Sequence, residues 1–123
     1  MTTATVTKDA KAVASAYFEA WKARDFDTFR FLLTDEVEFV GPLAHLNNAD
    51  DCVKGIRGMS EMITDIVVHK ILADADDAIT WFDLHAKGGI VLPTANWSHV
   101  ENGKITKIRV AFDPRPLTEQ SGR

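Results

Sequence analysis

The apolar residues of this chain change their period near its middle, and this change limits the folds that it can adopt. In the N-terminal half they recur every three or four residues, as in Val13, Tyr17 and Trp21, which is the spacing of an amphipathic helix. From Val67 onward they alternate with polar residues in runs separated by short turns, which is typical of β-strands. Helices followed by a run of strands predict an α+β fold with one sheet covered by helices.

The sequence predicts three helices and five strands. Thr7 or Asp9 can cap the first helix, because a short side-chain oxygen accepts hydrogen bonds from the free amides of the first turn. A polar loop, which can hold one helical turn from Asn48 or Asp50, precedes the third helix. The first helix is expected to end at residues 23–25, the second to start after Asp25, and the third to carry residues 56–66. Strands are expected over residues 37–41, 67–73, 79–86, 92–100 and 105–112.

Length and composition predict one cytoplasmic domain, with an ordered core over about residues 10–113 and mobile tails. A chain of 123 residues is large enough for one hydrophobic core. The net charge of −4 does not suit binding to a phosphate backbone, and no apolar run is long enough to span a bilayer. The single cysteine, Cys52, cannot form an internal disulfide. We expect no nucleic-acid or membrane partner and, in the absence of ligand-spacing motifs, no metal and no cofactor.

Five segments spread from about Ala10 to Asp113 carry a family resemblance. They are residues 17–21, Asp25-Phe26-Asp27, residues 37–42, Ile56-Arg57-Gly58-Met59 and residues 102–113. Together they resemble the nuclear transport factor 2-like superfamily, which includes SnoaL-like polyketide cyclases, ketosteroid isomerase and limonene epoxide hydrolase. The resemblance implies a cone-shaped, curved, antiparallel or mixed sheet with three helices from the N-terminal half on one face, a cystatin-like α+β barrel. It also implies a small hydrophobic ligand and a homodimer formed through the outer face of the sheet.

The Asn102-Gly103 turn leaves two registers open for the last hairpin. A two-residue turn would place Trp97 and His99 toward the cavity beneath the sheet, whereas a three-residue turn would place Asn96 and Ser98 there. A slip of one residue reverses the face of every side chain in a strand, so the choice decides which polar groups meet a ligand. The family resemblance favours the three-residue turn.

The strand at residues 79–86 presents a similar choice. Burial of apolar residues alone would turn Phe82 and Leu84 toward the helices. The resemblance implies the opposite, with Trp81, Asp83 and His85 facing the cavity, because relatives place polar catalytic groups there. The outer face would then form the dimer interface. Its expected members are Phe82, Leu84 and Trp97.

By the resemblance, Tyr17 corresponds to the ketosteroid isomerase tyrosine that donates a hydrogen bond to a substrate carbonyl. Asn96 lies where that family places a protonated aspartic acid, and an amide can also donate to a developing oxyanion. The family's general base precedes the proline of the first strand, and glycine (Gly41) stands there instead. Asp83 and His85, with Cβ atoms expected about 6–7 Å apart, are candidates to move the proton. The structural alternatives are a core tyrosine, an amide that satisfies the backbone and an Asp–His contact at the cavity rim.

An epoxide hydrolase activity is not expected. By the resemblance, limonene epoxide hydrolase uses an acid–arginine–acid arrangement, and Asp83 matches one of the two acids. Trp81 and Val110 stand at the positions of the arginine and the second acid. Without these groups the activation of a water molecule for epoxide opening loses its proton relay.

Two functional hypotheses follow from these residues. The first is a cofactor-independent isomerase, cyclase or dehydratase that acts on a small hydrophobic carbonyl compound, with Tyr17, Asn96, Asp83 and His85 as catalytic residues. The second is a non-catalytic ligand-binding or dimerisation module of the same fold. His45 is expected on a loop over the cavity mouth. The expected pocket lining is Trp21, Trp81, Ser98, Ile108, Val110, Phe112 and His45.

Overall fold

A curved sheet with helices packed on one face forms the described part of the chain. The computed structural model describes residues 9–121, and for residues 119–121 only the backbone. The helices are α1 (Ala10–Ala23), α2 (Phe26–Phe31), α3 (Ala49–Ser60) and α4 (Arg115–Ser121). The strands are β1 (Leu33–Val40), β2 (His45–Leu46), β3 (Ile63–Asp74), β4 (Asp77–Ala86), β5 (Ile90–Glu101) and β6 (Lys104–Ala111).

The strand order across the sheet is β2-β1-β6-β5-β4-β3. Strand β1 runs parallel to β6, and the other neighbouring strands are antiparallel. The sheet is curved but does not close into a barrel, and α1 packs against β3, β4 and β5. The predicted α+β fold with a curved mixed sheet is therefore confirmed. No helix within the described residues is long and apolar enough to cross a membrane.

Helix α1 buries the stripe that its sequence predicts. Asp9 is the N-cap, since its side-chain Oδ1 accepts from the Ala12 N–H at 2.7 Å. The alternative cap, Thr7, lies outside the described residues. The helix ends where Arg24 adopts the left-handed conformation, with φ of 59°. The buried residues of the stripe are Ala10, Val13, Ala14, Tyr17, Phe18, Ala20 and Trp21.

The third helix begins and ends earlier than the spacing of its apolar residues predicts. Asn48 caps it, because the Asn48 side-chain oxygen accepts from the Asp51 N–H at 2.8 Å. Ile63 and Ile66, expected on the helix, belong instead to strand β3. Isoleucines three apart fit a helix, and in β3 a shift of register between Ile63 and Asp65 lets both be buried. The β-branched residues that follow favour the extended conformation.

Two elements of the structure were not expected from the sequence. Strand β2 is only two residues long and pairs with the end of β1. Helix α4 lies in the expected C-terminal tail, where Asp113 Oδ1 accepts from the Arg115 N–H at 3.0 Å. A proline near the start of a helix costs no hydrogen bond, so Pro114 and Pro116 end the strand and still permit a helix to follow.

The last hairpin combines a two-residue turn with a β-bulge. Glu101 pairs with Lys104 across Asn102 and Gly103, whose φ angles of 55° and 81° belong to a tight hairpin turn. The predicted three-residue turn is therefore wrong. One extra residue, Thr106, then shifts the pairing between β5 and β6.

The bulge restores the inward face that the three-residue turn would have given. Beyond Thr106, Ser98 pairs with Ile108 and Asn96 pairs with Val110. Asn96 and Ser98 are consequently buried on the inner face of the sheet, each only 1% exposed. The two-residue turn and the bulge at Thr106 shift the register by one residue in opposite directions, so their effects on the inward face cancel.

Two buried threonines give a matched test of hydrogen bonding in the sheet. Among the described residues, the Thr80 hydroxyl is the buried side-chain group without a partner, whereas the Thr94 hydroxyl donates to the Leu92 carbonyl at 2.9 Å. An unpaired buried hydroxyl costs desolvation energy, so Thr80→Val should raise the free energy of unfolding by about 1 kcal/mol. Thr94→Val should lower it by about the same amount. Urea unfolding measures both, and equal destabilisation by the two variants would contradict this assignment.

Candidate functional site

A small cavity lies between helices α1 and α3 and the inner face of the sheet. Its volume is about 50 Å³. Tyr17 and Asn96 lie at its buried end, and the partly buried side chains of Met59 and Phe112 lie toward its outer end. The lining residues are Tyr17, Trp21, Phe39, Ile56, Met59, Phe82, Leu84, Thr94, Asn96, Val110 and Phe112.

Tyr17, Asn96 and Ser98 form a connected polar group at the buried end. The Ser98 hydroxyl donates to Asn96 Oδ1 at 3.0 Å, and the Asn96 side chain acts in turn on the Tyr17 hydroxyl, whose pKa it lowers. Burial raises the pKa of Tyr17, and the nearby Cys52 adds to this effect, while the bond from Asn96 opposes it. The phenol is therefore protonated at neutral pH and available as a hydrogen-bond donor.

The aromatic wall of the cavity is held by contacts with the two neighbouring helices, α2 and α3. The Trp21 indole N–H donates to the Ser60 hydroxyl at 3.2 Å, and this hydroxyl donates to the Ile56 carbonyl at 2.7 Å. The Tyr17 ring lies 4.6 Å from the Phe29 ring, measured between centroids. These contacts fix the walls of the cavity, so it is a defined space rather than a loosely packed region.

Gly41 borders the cavity and leaves it without a carboxylate at that point. A Cβ atom built at Gly41 would lie 3.3 Å from Phe39 Cε1 and 3.6 Å from Val110 Cβ. Both neighbours line the cavity. Among the described residues no aspartate, glutamate or histidine lines the cavity.

The structure corrects the predicted placement of Trp81, Asp83 and His85, which lie on the outer face of the sheet. Phe82 and Leu84 are buried against the helices, while Trp81 is 48% exposed. Burying a large apolar side chain stabilises a fold by roughly 1.5–3 kcal/mol, whereas a buried unpaired carboxylate is costly, so burial decided the face. The expected interface contribution of Phe82 and Leu84 is wrong for the same reason.

Asp83 and His85 do not pair with each other. Asp83 Oδ2 lies 2.9 Å from Nε2 of His69 on the neighbouring strand β3. His85 pairs in register with Asp65. The proposed proton-moving pair is thus divided between two cross-strand contacts on the outer face.

The other expected lining residues divide into three groups. Trp21, Val110 and Phe112 line the cavity. Ile108 and Ser98 are buried behind it. His45 is exposed, lies on strand β2 with its Nε2 atom 3.3 Å from Glu38 Oε2, and does not cover the cavity mouth.

Several lining residues were not named from the sequence, although simple patterns indicate them. Phe82 and Leu84 follow from burial of the apolar face of β4, and Thr94 lies on the same face of β5 as Asn96. Ile56 and Met59 lie three apart on α3. The remaining residue of this set is Phe39.

The sequence matches the family described as SnoaL-like domain over residues 14–108. The chain belongs to this family. No curated protein sequence matches it.

Solved structures share the fold over most of their length. A protein from Kribbella flavida is 26% identical, with a TM-score of 0.87 and coverage of 94% of this chain and 95% of that one. A putative ketosteroid isomerase from the same organism is 19% identical, with a TM-score of 0.75 and coverage of 85% and 77%. An epoxide hydrolase from M. tuberculosis, of the kind called LEH-like, is 21% identical, with a TM-score of 0.75 and coverage of 89% and 86%.

A group of charged and imidazole side chains of this SnoaL-like chain lies on the outer face of the sheet. Asp77 accepts from the Trp97 indole N–H and from His99 Nδ1, both at 2.9 Å. Asp77, and to a smaller extent Glu101, raises the pKa of His99, and the bonds from Trp97 and His99 lower the pKa of Asp77. Lys107 and Arg109 line the same surface concavity. Within the described residues no group of three or more histidine, cysteine or acidic side chains could hold a metal ion.

The contact between His99 and Asp77 predicts a pH-dependent stability. A raised histidine pKa stabilises the fold fully below about 6.5, and this contribution is lost as the pH rises through the folded-state pKa. The lowered pKa of Asp77 contributes above about 3.9 and is lost as the pH falls. The difference in unfolding free energy between wild type and His99→Gln should therefore be largest between about pH 4 and 6.5.

Urea unfolding of both proteins across this range measures the effect. Asp77→Asn should remove most of the same dependence, because it leaves a side chain that can still accept from Trp97 but carries no charge, while Glu101 keeps its smaller contribution. A constant difference from pH 4 to pH 9 would mean that the ion pair contributes nothing.

Proposed function

We propose that this SnoaL-like protein binds a compact apolar molecule carrying one carbonyl or similar acceptor oxygen. The observation that carries the proposal is the presence of the Tyr17 hydroxyl and the Asn96 amide in a cavity whose other lining side chains, Thr94 apart, are apolar. A lining with few, well-placed polar groups is the usual composition of a small-molecule site. The two donors would hold the oxygen, and the surrounding side chains would enclose the carbon skeleton.

The size of the cavity favours a small ligand. Its volume of about 50 Å³ is well below the roughly 300–1,000 Å³ of sites for drug-sized molecules. Movement of Met59 and Phe112 would enlarge it, because both side chains are only partly buried at its outer end. We therefore propose a ligand of a few carbon atoms, or a larger one that displaces these two side chains.

The chemistry of the lining favours binding over acid/base catalysis. Two neutral donors can stabilise a developing oxyanion, but removal of a proton next to a carbonyl also needs a base. Gly41 supplies none, and Asp83 and His85 lie on the other face of the sheet. Of the two hypotheses from the sequence, the ligand-binding module is thus better supported than the isomerase, cyclase or dehydratase.

Cyclopentanone is a suitable probe of the proposed site. Titration followed by amide chemical shifts should give saturable changes near Tyr17 and Asn96 in the wild type. Tyr17→Phe removes one donor while keeping the ring, so its affinity should fall by about two- to tenfold, the range of a single hydrogen bond. Asn96→Leu should weaken binding by a similar factor.

The control for this titration is Asp83→Asn. Because Asp83 lies beyond the sheet from the cavity, this variant should bind cyclopentanone as the wild type does. Binding lost in Asp83→Asn but kept in Tyr17→Phe would overturn the proposed site. Turnover of a cyclic ketone by the wild type that disappears in Asp83→Asn would instead support the enzyme hypothesis.

We also propose a homodimer through the outer face of the sheet. The outer patch consists of Ile79, Trp81, Pro93, Ala95 and Trp97, which are neighbours across β4 and β5. Its large side chains are about half exposed, an arrangement that a soluble monomer seldom keeps. A second copy of this chain would cover the patch.

A charge placed in the outer patch should separate the proposed dimer. Sedimentation of the wild type should give twice the chain mass of 13.6 kDa, and Trp81→Glu should give the monomer. Leu43→Glu is a matched control, because Leu43 is 50% exposed on the loop after β1 and lies off the patch. A monomeric wild type would exclude the dimer.

A further inference from the structure

The polar end of the cavity has a defined hydrogen-bond direction. Ser98 and Asn96 lie two residues apart on the inner face of β5, and the Ser98 hydroxyl donates to Asn96 Oδ1 at 3.0 Å. Both side chains are almost completely buried, so neither can exchange this contact for one with bulk water. An amide whose oxygen faces Ser98 must direct its NH₂ group away from Ser98, and Asn96 lines the cavity together with Tyr17, whereas Ser98 does not.

The reversed amide would leave a hydrogen unpaired. With the amide turned over, Ser98 would accept from the NH₂ group, and its own hydroxyl hydrogen would need another acceptor. Within the described part of the chain, Ser98 has no other side-chain hydrogen-bond partner than Asn96. Because an unpaired buried hydroxyl is costly, the orientation with Oδ1 toward Ser98 is favoured.

The direction of this chain determines what the cavity offers a ligand. Asn96 and Tyr17 line the same cavity, and the Asn96 side chain lowers the pKa of Tyr17, which is the effect of an NH₂ group directed at the phenolic oxygen. The phenolic hydrogen is then left free to donate in turn. Hydrogen bonds that follow one another in this way polarise each other in the same direction. With the amide reversed, Tyr17 would donate to Asn96 Oδ1, and its hydrogen would no longer be available to a ligand.

We infer that Ser98 is a positioning residue that orients the Asn96 amide, so that the cavity presents donors and selects a carbonyl oxygen, which only accepts, over an equally sized alcohol, whose own hydrogen also needs an acceptor. This inference rests on the proposed binding function and names the ligand class. Ser98 does not line the cavity and acts only through Asn96. The Thr94 hydroxyl oxygen can still accept a hydrogen bond from an alcohol ligand. The decisive quantity is therefore the change in the preference for ketone over alcohol when Ser98 is altered.

Two readouts test the role of Ser98. The first readout needs no ligand and consists of the nuclear Overhauser contacts between the Asn96 NH₂ protons and the ring of Tyr17. Tyr17 is the single tyrosine of the chain, so its ring signals are unambiguous. The second is the ratio of the dissociation constants of cyclopentanol and cyclopentanone. The wild type should show the contacts and prefer the ketone by about tenfold, the equivalent of about 1.4 kcal/mol.

Ser98→Ala should weaken the contacts and reduce the ketone preference by at least about threefold, whereas Ser98→Thr, which keeps the hydroxyl, should retain both. Thr80→Val is the matched control, because Thr80 pairs in register with Asn96 across the sheet. The variant removes a buried hydroxyl that forms no hydrogen bond to Asn96. If Ser98→Ala does not fold, Ser98→Cys gives the same comparison with a much weaker donor.

Unchanged contacts and an unchanged preference in the folded Ser98 variant would overturn the inference. A wild type that binds neither probe would instead contradict the proposed function. In that case the contacts between Asn96 and Tyr17 still decide whether Ser98 orients the amide.

Discussion

The aromatic contact between helix α1 and strand β4 decides how the rest of the molecule is arranged. The Phe82 ring lies 4.8 Å from the Phe18 ring and 6.0 Å from the Trp21 ring, measured between centroids. Side chains alternate along a strand, so a buried Phe82 turns both of its neighbours to the outer face. The position of Asp83 is therefore a consequence of where Phe82 packs, and it is independent of any chemistry that Asp83 could perform.

The sequence predicted most of the fold because each element has its own local signal. The stripe through Val13, Tyr17 and Trp21 marks α1, and the Asn102-Gly103 pair marks the last turn. The bulge at Thr106 has no comparable signal, since it depends on the register that packing imposes farther along the hairpin. The tight turn and the bulge each shift the pairing by one residue. The residues alone left both registers open, and the family resemblance favoured only the combined result, the inward face of Asn96 and Ser98.

The candidate site was predictable only in part, for a related physical reason. Tyr17 lies on an apolar helical stripe, and Asn96 lies on a strand face whose orientation the resemblance favoured. For β4 the resemblance and the burial of apolar side chains gave opposite faces, and burial was correct. A family resemblance indicates which positions can carry function, but the side chains at those positions still determine which face of a strand turns inward.

The separation of the two faces of the sheet has a functional consequence. Two ionisable pairs, His69 with Asp83 and His99 with Asp77, form hydrogen bonds on the outer face of the sheet. Burial of these groups in the cavity would be costly. The cavity keeps groups that stay neutral at physiological pH, because burial raises the pKa of Tyr17 and an amide does not titrate. Recognition by such groups depends on the direction of hydrogen bonds rather than on charge. Under the proposed binding function, such a site would discriminate between ligands by whether their oxygen only accepts or also carries a hydrogen that needs an acceptor, which requires no catalytic step.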